Sequence, residues 1–91
     1  MDSNNDSWGV FVRELGVRQN RAHTDAGLSQ ERLAHMAGLT RYHYQQLEKG
    51  ESRPGHPANP SLRNTLVLAQ ALGVELGDLL PESLPDLTEG R

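Results

Sequence analysis

Between Ser29 and Gly50 the chain carries two helical stretches too short to stand alone, tied together by only Gly38-Leu39. The first opens on Ser29, a good N-capping residue, and runs through Ala37 with Leu33, Ala34 and Ala37 on one face. The second opens on Thr40 and runs through Lys49, with Tyr44 and Leu47 turned inward and Gly50 as terminator. Isolated helices below about 12–15 residues are marginal in water, so both must be held by neighbours. A link as short as Gly38-Leu39 forbids a relaxed antiparallel hairpin and sets the two axes at a steep angle. That is the geometry of a helix-turn-helix.

The flanking segments supply the neighbours. A first helix is expected from Ser7 to Ala26, with Ser7 as cap and Phe11, Leu15, Ala22 and Ala26 along one stripe. A fourth follows Ser61 and places Leu62, Leu66, Ala69 and Leu72 at helical spacing before Gly73; a short fifth, Glu75 to Leu80, is stopped by Pro81. Residues 51–60 hold three prolines and a glycine and read as loop. No alternating run suggests a strand, and there are no internal repeats. The expected fold is all-α, a five-helix bundle over residues 7–80, with a flexible N-terminal tail at 1–6 and a C-terminal tail at 81–91.

Composition narrows the function classes. A chain of 91 residues has room for one small core. No apolar run approaches the ~20 residues of a membrane helix, and the polar, acidic start Met1–Asp6 is not a signal peptide. A cytoplasmic protein with no membrane partner is expected. The absence of cysteine excludes disulfides, thiolate zinc sites and a cysteine nucleophile. The net charge of −3 argues weakly against a nucleic-acid partner. That average hides a gradient: residues 13–53 carry seven bases against five acids, whereas residues 54–91 carry two bases against five acids. The positive balance therefore falls on the helix-turn-helix and the helix before it.

Four fragments in order, Gly27-Leu28-Ser29-Gln30-Glu31-Arg32-Leu33-Ala34, Ala37-Gly38-Leu39-Thr40, Leu47-Glu48-Lys49-Gly50-Glu51, and Leu62 through Ala71-Leu72-Gly73-Val74, closely resemble the phage-repressor/Cro-like (XRE) helix-turn-helix family. The likeness covers about residues 11–80. It implies a lambda-repressor-like DNA-binding domain whose third helix enters the major groove, usually as a dimer on a palindromic operator. In such a docking the first turn of helix three meets base edges. Thr40, Arg41, Tyr42 and His43 stand there, with Gln45 and Gln46 one turn on. Arg41 suits guanine O6 and N7, and Gln46 suits the N6/N7 edge of adenine. Gln30 matches the family position that holds a phosphate, and Lys49 and Arg53 are further phosphate candidates.

Departures from the family pattern are informative. Glu48 matches an acid that commonly pairs with an arginine in helix one, and His23 occupies that position here. Either His23 braces helix three through Glu48 or it faces water. Gln19 stands where an apolar residue is usual and Tyr44 where a branched aliphatic is usual, which suggests a compensating Tyr44–Gln19 hydrogen bond. The segment Gly55–Pro60 looks like an insertion, expected to lie outside the fold rather than to touch DNA.

His23, His35, His43 and His56 lie on four different elements and lack the spacing of a helical metal site, so no metal is expected. No nucleophile elbow, phosphate-cradling glycine loop or paired-carboxylate motif is present, so neither cofactor nor catalytic residue is expected and the chain does not read as an enzyme. Val67, Val74, Leu76, Leu80, Leu84 and Leu87 exceed what one small core requires. They point to a self-complementary patch near helix five and the tail, hence a homodimer, unless the tail folds back on its own domain. The expected function is a sequence-specific double-stranded DNA-binding transcriptional regulator, a repressor, with a protein effector as a possible further partner. The rival is a protein-interaction module, antitoxin or adaptor, on the same scaffold.

Overall fold

The computed structural model describes residues 7–88. Five helices follow in order: α1 (Ser7–Asp25), α2 (Gln30–Ala37), α3 (Arg41–Lys49), α4 (Leu62–Leu72) and α5 (Leu76–Leu79). The caps are those the side chains dictate. Ser29 Oγ accepts from Arg32 N–H at 3.0 Å, Thr40 Oγ1 from His43 N–H at 2.9 Å and Ser61 Oγ from Asn64 N–H at 3.0 Å. Glu75 is the cap of α5 rather than its first residue, paired with Asp78 in a capping box. Gly38 ends α2 in the left-handed conformation, and Leu39 N–H reaches back to the Ala34 carbonyl at 2.8 Å. The chain is thus turned sharply from α2 into α3.

The expected tail at residues 1–6 and the last three residues of the C-terminal tail lie outside the described part. Within it, one all-helical expectation needs correcting. Residues 51–60 contain an antiparallel hairpin, β1 (Glu51–Arg53) with β2 (His56–Pro57). Pro54-Gly55 makes its turn, and Gly55 has φ +81°, as the third position of a type II turn requires. Strands this short carry no readable alternation. Nor does the insertion lie outside the fold. Ala58 is buried in the core, its N–H donates to the Gly50 carbonyl at 2.8 Å, and its own carbonyl accepts from Trp8 Nε1 at 2.9 Å. Helix α1, the end of α3 and the hairpin are tied together at that one residue.

The core gathers Leu15, Leu33, Ala34, Ala37, Tyr44, Leu47, Ala58, Leu68, Ala69, Leu72 and Leu79. Two stripes are rotated from those expected. On α4 the buried side is Thr65, Leu68, Ala69 and Leu72, while Leu62 is 73% and Leu66 42% exposed. Thr65 tolerates burial because its hydroxyl donates to the Ser61 carbonyl at 2.9 Å. On α1 the buried side is Gly9, Val12, Leu15, Gly16, Gln19 and His23, and Ala26 is exposed. Of the six residues thought to be surplus to the core, Val67, Val74 and Leu80 pack against it. Leu84 and Leu87 remain exposed.

Gln19 is the anomaly of this core. It is 1% exposed, and neither its Nε2 nor its Oε1 has a protein partner among the described residues. The expected bond to Tyr44 is not made, because the phenol turns instead to Glu48. A buried amide without partners costs about 1–3 kcal/mol of desolvation. Gln19→Leu, close in size and without polar atoms, is therefore expected to stabilise the domain by about 1–2 kcal/mol, seen as a raised urea midpoint at unchanged slope. An unchanged or lowered midpoint would show that the amide is satisfied.

Candidate nucleic-acid interface

Helix α3 presents two unlike sides. Tyr44 and Leu47 are buried, whereas Arg41, Tyr42 and His43 at its start are exposed, Tyr42 to 69%. Gln45 and Gln46 stand one turn further on, half-buried, and Lys49 is exposed at the end. The expected base-edge candidates other than Thr40 thus form one outward strip, and Thr40 itself is the cap that starts the helix. The Arg41 guanidinium, the His43 ring and the Lys49 ammonium have no hydrogen-bonding or ionic partner among the described residues. Arg53 is exposed on β1, the strand that follows α3 directly.

What holds this strip in place is Glu48. Its carboxylate lies on the half-buried side of α3 and is approached from three helices. Oε1 accepts from Gln30 Nε2 of α2 at 2.8 Å and from Asn20 Nδ2 of α1 at 3.0 Å. Oε2 accepts from the Tyr44 hydroxyl at 2.5 Å and lies 2.8 Å from His23 Nε2 of α1. The ring's other nitrogen, Nδ1, is 2.8 Å from the Leu28 carbonyl, which can only accept. With a proton on Nδ1 alone, Nε2 would be a buried atom without a hydrogen-bond partner. A hydrogen on Nε2 would instead give the carboxylate a donor at 2.8 Å. The brace expected between His23 and Glu48 is in place, and His23 does not face water. Tyr44's phenol is pushed above its ordinary range, first by burial and then by the hydrogen bond it gives to Glu48 and that carboxylate's charge.

Two candidates are less free than their sequence positions suggest. Gln30 gives one amide hydrogen to Glu48, and its Oε1 takes a long bond from Gln45 Nε2 at 3.3 Å. A phosphate there would be met by its second amide hydrogen and the open backbone N–H groups of α2. Gln46 Nε2 donates to the Tyr42 hydroxyl at 3.1 Å and to the Ser52 carbonyl. Sequence reasoning missed Asn20 and Ser52. Asn20 was findable, one helical turn before His23 on α1, whereas Ser52 enters only through the hairpin.

Helix α1 comes unusually close to the end of α3. A Cβ built on Gly16 would lie 2.1 Å from the Glu48 carbonyl oxygen, closer than atoms can pack. The tail returns to the other end of α1, where Ser83, Leu84, Pro85 and Asp86 share a groove with Ser7, Val10, Phe11 and Glu14. Among the described residues no three of His, Asp or Glu gather as metal ligands, and no helix is long and apolar enough to cross a membrane.

A family model described as helix-turn-helix, HTH_3, matches residues 17–79. Among solved structures, the chain is similar to the restriction-modification controller protein C.AhdI from Aeromonas hydrophila. The two are 38% identical, the match covers 76% of this chain and 96% of that one, and the TM-score is 0.67. It is similar also to NHTF, a hypothetical transcription factor from Neisseria, at 30% identity, with 78% and 75% of the chains covered and a TM-score of 0.67. SinR, a master regulator for biofilm formation solved in complex with DNA, shares the fold at 23% identity over 71% of this chain and 95% of that one, TM-score 0.61. No curated protein matches the chain.

Proposed function

As a member of the HTH_3 helix-turn-helix family, of the phage-repressor/Cro-like kind, the chain binds DNA as a transcriptional regulator, and we propose that it represses by reading the major groove of a specific duplex with α3. The observation that carries this is the two-sidedness of α3. Its first turn offers Arg41, Tyr42 and His43 to solvent while Tyr44, Leu47 and the Glu48 network hold the opposite side to the domain. Arg41, with its paired donors unused, is the residue matched to guanine O6 and N7. Lys49, Arg53 and the N-terminus of α2 with Gln30 are assigned to phosphates, where they add affinity without sequence preference. Residues 7–80 form the DNA-binding domain. C.AhdI, a controller protein matched over 96% of its length, supports a regulatory role.

A homodimer on a palindromic operator follows as part of the proposal. The exposed Leu84 of the tail, in one groove with Val10 of α1, and the exposed Leu87 supply the apolar surface for it. Two copies of α3 would then enter grooves about one turn, ~34 Å, apart.

Selection of bound duplexes from a random pool tests the reading. Recovery of a palindrome is expected, with affinity falling steeply as salt rises. Arg41→Ala should relax one position per half-site at a cost of about 1–3 kcal/mol. A pool without enrichment would instead favour a protein-interaction module on this scaffold.

A further inference from the structure

In the hairpin, Glu51 pairs with Pro57 and Arg53 with His56, so Ser52 is an extra residue with no opposite number. It is a β-bulge, and bulges re-aim the groups of the bulged strand. Here the Ser52 carbonyl accepts from Gln46 Nε2. A backbone carbonyl has no hydrogen to give, so the amide of Gln46 can face it only with its nitrogen. The second hydrogen of that nitrogen goes to the Tyr42 hydroxyl, 3.1 Å away. Both donors of the side chain are thereby committed within the protein. Oε1 takes no hydrogen bond from the described residues and is not among the buried unpartnered atoms, so it faces solvent on the strip of α3 that carries Arg41 and Tyr42.

We infer that the Ser52 bulge sets the polarity of Gln46, making it an acceptor-only reader that selects a base with an exocyclic amine in the major groove, adenine N6 or cytosine N4. The inference rests on the DNA-reading proposal above and deepens it. A free glutamine grips adenine with both ends of its amide, giving a hydrogen bond to N7 and taking one from N6. Held as it is here, Gln46 can take the amine hydrogen but has nothing left to give N7. Guanine and thymine offer the major groove acceptors only, apart from the thymine methyl, so they are refused by an outward carbonyl oxygen. The loop that looked like a bystander thus takes part in specificity without touching a base.

The test begins with duplex selection on the full-length protein and on Gln46→Ala, an exposed-strip change whose folding is checked by circular dichroism. One position per half-site should lose its preference in the variant, and in the unchanged protein that position should hold adenine or cytosine. Within the selected duplex, that base is then replaced by an analogue lacking only the amine (purine for adenine, pyrimidin-2-one for cytosine). Binding should weaken about tenfold, the equivalent of one lost hydrogen bond. Gln46→Ala should bind both duplexes alike. Where the base is adenine, 7-deazaadenine, which lacks N7 and keeps the amine, should bind within about twofold of the parent duplex. An equal loss with 7-deazaadenine would show a two-ended grip and overturn the inference. Guanine or thymine at the position, or no position that answers to Gln46, would do the same. These outcomes leave the broader reading standing; only a pool without enrichment removes both.

Discussion

Gly16→Ala is expected to destabilise the domain by about 2–4 kcal/mol, although alanine is the better helix former. In an open helix the exchange would gain about 0.5–1 kcal/mol, because glycine gives up more backbone freedom on folding. At Gly16 the added methyl would lie 2.1 Å from the Glu48 carbonyl oxygen, 2.7 Å from its carbonyl carbon and 2.8 Å from the Leu47 carbonyl oxygen. All three are backbone atoms at the end of α3, so no side chain can swing aside. Either α1 and α3 separate, or the variant carries the clash. Overpacking of this kind costs about 1–3 kcal/mol and occasionally more. For a domain this small, each kcal/mol moves the melting temperature by roughly 4–8 °C, so a fall of at least about 8 °C is expected. Gly77→Ala is the matched control. Nothing lies within 4 Å of a Cβ there, and that variant should melt at or slightly above the parent temperature. Equal melting of the two variants would mean that α1 and α3 do not meet as closely as Gly16 indicates.

The same close approach shows which parts of the molecule were legible in the sequence. The caps at Ser29, Thr40 and Ser61 and the stop at Gly38 were readable because each is settled by chemistry within a few residues. So was the outward strip of α3, since Tyr44 and Leu47 left Arg41, Tyr42 and Gln45 no other side to occupy. The hairpin was not, because Pro54-Gly55 signals a turn in a loop as readily as in a ladder and its strands are too short to alternate. On α4, Leu62 and Leu66 formed as good a stripe as Thr65 and Leu68. Thr65's bond to the Ser61 carbonyl removes the cost of burying a hydroxyl and lets the second stripe turn inward. The departures at Gln19 and Tyr44 suggest a bond between two helices, whereas the Tyr44 hydroxyl finds Glu48, one turn along its own helix. A search for apolar stripes also passes over Gln19 and His23, two polar residues on the buried side of α1.

Glu48→Ala is expected to cost about 3–5 kcal/mol, more than any other single change at this interface, because it strips four polar groups of one shared acceptor. The Glu48 side chain is only 7% exposed, so water cannot readily replace it. Without the carboxylate, Tyr44 Oη, Gln30 Nε2, Asn20 Nδ2 and His23 Nε2 lose partners now 2.5–3.0 Å away. Glu48→Gln should behave differently. Its Oε1 still serves Gln30 and Asn20, and its new amide hydrogens face the Tyr44 oxygen and His23 Nε2. That nitrogen can accept once the ring keeps only the Nδ1 proton given to Leu28. The cost should shrink to about 1–2 kcal/mol, that of exchanging charged hydrogen bonds for neutral ones. Urea titration of both variants measures the two values. The alkaline titration of Tyr44 gives a second reading. In the parent its raised pKa means that the neutral phenol is favoured by folding, so this contribution is whole below about pH 10 and fades as pH climbs beyond it. Glu48→Gln removes the carboxylate's charge and replaces the hydrogen bond the phenol gives with one it receives, but leaves the burial, so the phenol should ionise at lower pH than in the parent yet stay above the ordinary tyrosine range. If alanine and glutamine prove equally costly, the negative charge itself, rather than the acceptor geometry, fastens the reading helix to α1 and α2.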